Sequence, residues 1–293
     1  MHAMSMQNEI QHACLAILGK EVSIQSIKTI GGGSISNSLG LRTNHGSFFL
    51  KMNNSKHAPV MFESELDGLE VLAKSSNFMI PKVFGSIELS GTSYLLMELI
   101  ESGSRHNEFW DKLGKSLAGL HRNRAEQFGH YRSNFIGSLP QLNNYIDTWS
   151  EFFISQRLNP MLALARNEQL VDRSFVKRFD QAMPALVNEM PIEPASLIHG
   201  DLWSGNLMVD NAGNPTLIDP AVYYGHREMD LAFSHMFGGF SVEFYESYDN
   251  AYPLEPGFET RIAIYNLYPQ LVHLNLFGMS YFESIDRTIS RFT

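Results

Sequence analysis

The chain has 293 residues, 44% of them hydrophobic, which is enough to bury a core in one large domain or in two modest lobes. Charged residues make up 18% and the formal net charge is −9, a balance opposed to general binding of nucleic acid or anionic membrane, whose phosphates demand a basic footprint. A single cysteine, Cys14, excludes an intrachain disulfide framework and a cysteine-rich zinc site, and a reducing, cytoplasmic setting is expected. The first six residues show no basic start leading into an apolar run, so no signal peptide is expected. Apolar stretches are interrupted well before membrane-spanning length.

In chain order, Ile10, Ala13, Cys14 and Ile17 predict a helix over 9–18, and alternation predicts a strand over 22–30. The cluster Gly31-Gly32-Gly33 follows, then a second strand-like run at 48–52. Phe62, Leu66, Leu69 and Leu72 predict a helix over 61–72, and Ile80-Pro81 breaks it. Residues 83–89 and 93–100 predict a strand pair turning at Ser90-Gly91. After Glu101 the character changes. Helices are predicted over 109–121, 146–166 and 173–189, short apolar runs at 197–198, 207–209 and 216–218, and mostly helix from Asp230 onward. The expected fold class is α+β and bilobal: a small antiparallel-sheet lobe, residues 1–101, and a larger, mostly helical lobe, residues 102–293. Glu101-Ser102-Gly103-Ser104 is the candidate linker, and a ligand cleft is expected at the junction.

The densest polar motif is His199-Gly200-Asp201-Leu202-Trp203-Ser204-Gly205-Asn206. An Asp on a loop can accept the proton of an attacking hydroxyl. An Asn five residues later can offer magnesium an amide oxygen without adding charge. A polar loop of Asx turns has the same composition. His199 is read as a loop-orienting residue rather than an acid or base. Asp219, ending the run Leu217-Ile218, suits a second magnesium ligand, or it simply starts a turn before Pro220. Gly31, Gly32, Gly33 and Ser34 can bring backbone amides close to phosphates, or form a plain hairpin turn; no Walker-type Gly-Lys-Ser/Thr follows. Lys51 interrupts an apolar run, so its ammonium must pair or reach solvent. Glu65 is the chosen partner because Leu69 and Leu72 share its helix face, with Glu63 as the fallback; an edge lysine in solvent is the alternative. Glycine loop, strand Lys, helix Glu, linker, Asp…Asn, second Asp is the order in which a bilobal kinase surrounds ATP and metal.

With those motifs, Asp219-Pro220-Ala221-Val222-Tyr223-Tyr224-Gly225-His226-Arg227-Glu228-Met229-Asp230, Asn134-Phe135-Ile136-Gly137 and Pro140-Gln141-Leu142-Asn143, the chain resembles the fructosamine kinase (ketosamine-3-kinase) family. That family is a branch of the aminoglycoside-phosphotransferase-like kinases with a protein-kinase-like fold. The resemblance also takes in Trp149 to Leu158 and Tyr265 to Tyr281, and covers nearly the whole chain. It implies ATP- and Mg²⁺-dependent phosphorylation of a sugar hydroxyl on a ketosamine, free or on a protein lysine, in the service of deglycation. It also implies Asp201 as base, Asn206 and Asp219 as magnesium ligands, Lys51 with Glu65 on the phosphates, and Met97, Glu98 and Leu99 in an adenine-facing hinge. Asp219 is followed by Pro-Ala rather than Phe-Gly, so no flipping switch is expected.

For the acceptor, Trp203 either walls the sugar site or packs between helices. Tyr223, His226 and Glu228 are further substrate candidates, whereas Arg227, with or without Glu228, is expected to brace Asp230. Tyr145, Trp149, Phe152 and Phe153 read as a helix-packing stripe. Two other readings stand beside the ketosamine one: a kinase for choline, an aminoglycoside or another amino alcohol, and a nucleotide-binding pseudokinase. The four residues Lys51, Asp201, Asn206 and Asp219 weigh against the second.

Overall fold

The computed structural model describes residues 6–31 and 36–293. Its helices are α1 (Met6–Leu18), α2 (Ala58–Ser75), α3 (Phe109–Leu120), α4 (Trp149–Phe152), α5 (Asn159–Asn167), α6 (Arg173–Asn188), α7 (Glu228–Met236), α8 (Val242–Ala251), α9 (Phe258–Tyr265), α10 (Leu267–Phe277) and α11 (Phe282–Ile289). Five longer strands precede α3: β1 (Ile24–Thr29), β2 (Asn37–Thr43), β3 (Gly46–Asn53), β4 (Val83–Leu89) and β5 (Thr92–Glu98). The α+β class is therefore as expected. No helix among the described residues is long and apolar enough to cross a membrane.

The chain forms two compact units. The first holds residues 1–74, 78–109 and 207–220. Its strands pair antiparallel in the order β1-β2-β3-β5-β4. Period-two alternation sends Leu39, Leu41, Phe48, Leu50, Tyr94 and Leu96 into one cluster, where Ile10, Ala13 and Cys14 of α1 cover them. Strand β2 was not legible in the sequence. Gly40 at its centre and Asn37 and Ser38 at its start depress strand propensity, and pairing on both sides overrides it. The segment proposed as a linker lies in this unit, where Gly103 N donates to Val209 O at 3.1 Å. That bond ties it to a hairpin, Leu207–Val209 with Pro215–Leu217, which is tied in turn to Met79.

The second unit holds residues 75–77, 110–206 and 221–293. Helices α4–α7 and α9–α11 bury one large apolar cluster around the fully buried strand Ala195–Ile198. That strand pairs with Tyr223–Gly225 and Arg124–Ala125. Between α4 and α5 the helix loosens to π geometry over Phe153–Leu158, which turns Arg157 inward until it is 0% exposed. Its guanidinium lies 3.9 Å from the Tyr223 ring centroid and donates to Asn143 Oδ1 at 2.7 Å. Aromatic faces and amide oxygens thus take the place of water around a buried cation. Trp149, Phe152 and Phe153 are core residues as expected, but Tyr145 is 53% exposed and drops out of the stripe.

Candidate active site

In the first unit, Lys51 lies on β3, a central strand flanked by β2 and β5, which removes the edge-lysine alternative. Because Phe48 and Leu50 face the α1 cluster, alternation directs Lys51 to the opposite face of the sheet. There its Nζ lies 2.7 Å from Glu65 Oε1 and 2.6 Å from Asp219 Oδ1. Glu65 is the partner, not Glu63, because Phe62, Leu69 and Leu72 place that side of α2 in the interior while Glu63 faces out. Burial pulls the ammonium of Lys51 down, but Asp219 and Glu65 more than offset it and hold it above the ordinary lysine range. Burial pushes Glu65 up to about 7, with Lys51 pulling it back and Asp219 adding to the rise. Asp219 itself has φ 53, a left-handed conformation that aspartate tolerates better than branched residues.

Of the glycine loop, only Gly31 falls among the described residues; Gly32, Gly33 and Ser34 lie outside them. Met97 and Glu98 close β5, with Glu98 N donating to Lys82 O at 2.8 Å, and Leu99 follows the strand.

In the second unit, strand Ala195–Ile198 delivers His199-Gly200-Asp201. Gly200 has φ +82, and a Cβ there would meet Ala221 O at 2.1 Å, so this turn admits no larger residue unchanged. Asp230, 1% exposed, accepts from His199 N at 2.7 Å, from Gly200 N at 2.9 Å and from His121 Nε2 at 3.2 Å. It clamps the loop backbone directly. Asn206 Nδ2 donates both to Asp201 O and to Asp201 Oδ2 at 2.9 Å, which fixes the amide against the carboxylate five residues earlier. Below the loop, Gln141 and Asn134 donate to Ala221 O and Val222 O, and Tyr268 OH donates to Gln141 Oε1.

Two sequence expectations are corrected. Arg227 and Glu228 do not pair to brace Asp230. Arg227 Nε binds Glu193 Oε2 at 2.6 Å, and Glu228 Oε1 accepts from Arg261 at 2.6 Å. Tyr223, His226 and Glu228 are each 0% exposed, so none presents a surface to a sugar. Their alternation with apolar neighbours carries no sign of this; each is buried by a long-range partner. Trp203 is half-buried, edge-on to Phe237 at 5.4 Å, and stays a substrate candidate. His121, at the end of α3, and Arg261 were missed for the same reason: neither stands in a local motif.

His226 gives the fold a pH signature. Burial drives its imidazole down to about 4, Glu193 opposes this, and Arg227 and Arg261 reinforce it. The unfolded chain therefore binds the extra proton between pH 6.5 and about 4, and stability present above pH 6.5 is lost as pH falls through that window. The expected loss is on the order of 3 kcal/mol. Urea unfolding from pH 7 to 4 should show it. His226→Asn, which keeps an acceptor for Glu228 N, should flatten the curve.

Lys paired with a helix Glu on a five-stranded sheet, and an Asp–Asn loop in a helical unit, define a kinase of the protein-kinase-like class. A family model for fructosamine kinase matches residues 6–293, and the chain belongs to that family of ATP-using kinases. It is 40% identical over 265 residues to a sequence from Enterococcus faecium (89% of this chain, 93% of the relative). It is 40% identical to the chloroplastic protein-ribulosamine 3-kinase of Arabidopsis thaliana (91% and 82%) and 34% identical to the ketosamine-3-kinase of Mus musculus (90% and 95%). The crystal structure of a fructosamine-3-kinase-like protein from Thermobifida fusca superposes with TM-score 0.85 at 29% identity, covering 99% of this chain and 98% of the other. Aminoglycoside phosphotransferase APH(4)-Ia, at 15% identity and TM-score 0.62 over 98% and 96%, shares the fold.

Proposed function

We propose that this protein phosphorylates the 3-hydroxyl of ketosamines, sugar adducts of amines or of protein lysines, using ATP and Mg²⁺. The names of the Arabidopsis and mouse relatives support both acceptor and position. The observation that carries the reading is the Asp201 carboxylate, pinned by Asn206 on a loop that Asp230 clamps. On this reading residues 1–101 act as the nucleotide-binding lobe and residues 102–293 as the catalytic and acceptor lobe. The setting is cytoplasmic.

Asp201 accepts the proton of the acceptor hydroxyl as its oxygen bonds to the γ-phosphorus and the bond to the β,γ-bridging oxygen breaks, releasing ADP. Lys51, oriented by Glu65, holds the phosphates. Gly31 to Ser34 supply backbone amides over them, and Met97, Glu98 and Leu99 meet the adenine. Asn206 and Asp219 offer hard oxygen donors that fit magnesium, which prefers one or two protein ligands and completes its shell with phosphate and water. When bound, the ion neutralises charge developing on the transferring group.

ADP release with ATP, Mg²⁺ and fructosyl-lysine or ribulosyl-lysine tests the reading, with choline and an aminoglycoside as competing acceptors. Turnover of the ketosamines is expected, with phosphate mapped to C3. Turnover confined to choline or the aminoglycoside sinks it, and nucleotide binding without any transfer makes the protein a pseudokinase.

A further inference from the structure

Phe237 ends the turn of chain leaving α7, and His273 and Phe277 lie one turn apart on α10. The His273 ring centroid is 5.1 Å from Phe237, 5.4 Å from Phe277 and 5.0 Å from Tyr281. Phe237 continues the row to Trp203, whose backbone N donates to Asp201 O at 3.2 Å. Gly205 leaves room for the Trp203 indole, since a Cβ there would lie 2.2 Å from it. Gly239 plays the same part for Ser204, at 2.8 Å. An unbroken line of rings thus starts two residues from Asp201. Trp203 and Tyr281 pack against the large core cluster, whereas Phe237, 41% exposed, and Phe277, 52% exposed, carry the row out to solvent. Exposed rings that continue such a row are one form a ligand-binding surface takes.

The histidine at its centre narrows the ligand. His273 Nδ1 lies 2.7 Å from Pro269 O and donates to it, which makes Nε2 the acceptor of a neutral ring. Burial pushes this imidazole below its ordinary range, so it stays neutral at physiological pH. Aromatic faces attract a cation, and a neutral imidazole nitrogen accepts one N–H. A protonated secondary amine offers both a charge and N–H donors. The chain's net charge of −9 favours the approach of such a cation.

We propose that Trp203, Phe237, His273, Phe277 and Tyr281 form the subsite that receives the protonated amine of the ketosamine and selects it over an amine-free ketose. The proposal rests on the ketosamine reading above and assigns the part of the substrate that those residues recognise.

The test compares wild type with Phe237→Leu, which keeps apolar bulk but removes the π face, and with His273→Phe. Two readouts are used: the ratio of kcat/KM for fructosyl-lysine to that for 1-deoxyfructose, and binding of N-methylbutylammonium by NMR titration. Both the selectivity ratio and the ammonium affinity should fall about tenfold in each variant, the scale of one desolvated cation–π contact for Phe237→Leu and of one hydrogen bond from a charged donor for His273→Phe, which keeps a ring face but loses the Nε2 acceptor. A wild type that phosphorylates fructosyl-lysine but binds no ammonium, or variants with unchanged ratio and affinity, overturn the subsite alone. A wild type that phosphorylates no ketosamine overturns the reaction. In that case ammonium binding that is lost in both variants still upholds the aromatic site as a secondary-amine site, and its absence removes that as well.

Discussion

Asp201→Ala is expected to lower kcat by about a thousandfold, within the range attributed to a positioned general base, while nucleotide affinity changes by no more than about threefold, since Asp201 makes no planned nucleotide contact. The separation follows from the geometry. The substitution removes the bond from Asn206 Nδ2 to the Asp201 carboxylate but keeps the one to Asp201 O, and Asp230 still holds the backbone beside it through His199 N and Gly200 N. The loop should therefore keep its course. Single-turnover transfer from radiolabelled ATP gives the rate, and a fluorescent nucleotide gives the affinity. Asp201→Asn should be nearly as inactive, because an amide preserves the shape and the bond to Asn206 but takes up no proton. If Asp201→Ala kept more than about a tenth of the wild-type rate, the base assignment would fail.

Lys51→Met is expected to cut kcat/KM for ATP by at least about a hundredfold, the scale of removing one charge-stabilising group at a transferring phosphate. It should also destabilise the fold by roughly 3 kcal/mol, because one ammonium is shared by two carboxylates and its loss leaves both uncompensated. Glu65, already raised to about 7, would take up a proton and absorb part of that cost. The double variant Lys51→Met/Glu65→Gln separates the two effects. It should recover most of the stability in urea unfolding and none of the activity. Recovery of activity with stability would mean that the ion group only holds the sheet to α2. Unchanged stability in Lys51→Met would mean that the carboxylates reach solvent without it.

Much of the fold was legible because its elements carry their own periodicity. Ile10, Ala13 and Cys14 repeat at helix spacing, and the apolar runs expected as strands over 83–89 and 93–100 flank a Ser90-Gly91 turn, so α1, β4 and β5 follow from local signals, with β5 observed over Thr92–Glu98. Strand β2 was not legible, since Asn37-Ser38-Leu39-Gly40 has little strand preference before its neighbours bond to it. The Lys51–Glu65 pairing was legible because a lysine in an apolar strand must be compensated, and one face of α2 offered the acid.

The sequence by itself determined which residues carry ionic and hydrogen-bonding capacity and in what order: Lys51, Glu65, Asp201, Asn206, Asp219. These types are chemically committed whatever their setting, and their spacing is written along the chain. Only the tertiary structure decided which polar residues stay in the interior. Tyr223, His226 and Glu228 stand beside Asp219 in sequence yet are enclosed by Arg157, Glu193 and Arg261 from distant segments. Asp230 turned out to brace the His199–Asp201 loop rather than to be braced. Burial depends on long-range packing that no local pattern encodes, and a buried charge takes whichever counter-charge the fold brings within hydrogen-bonding distance.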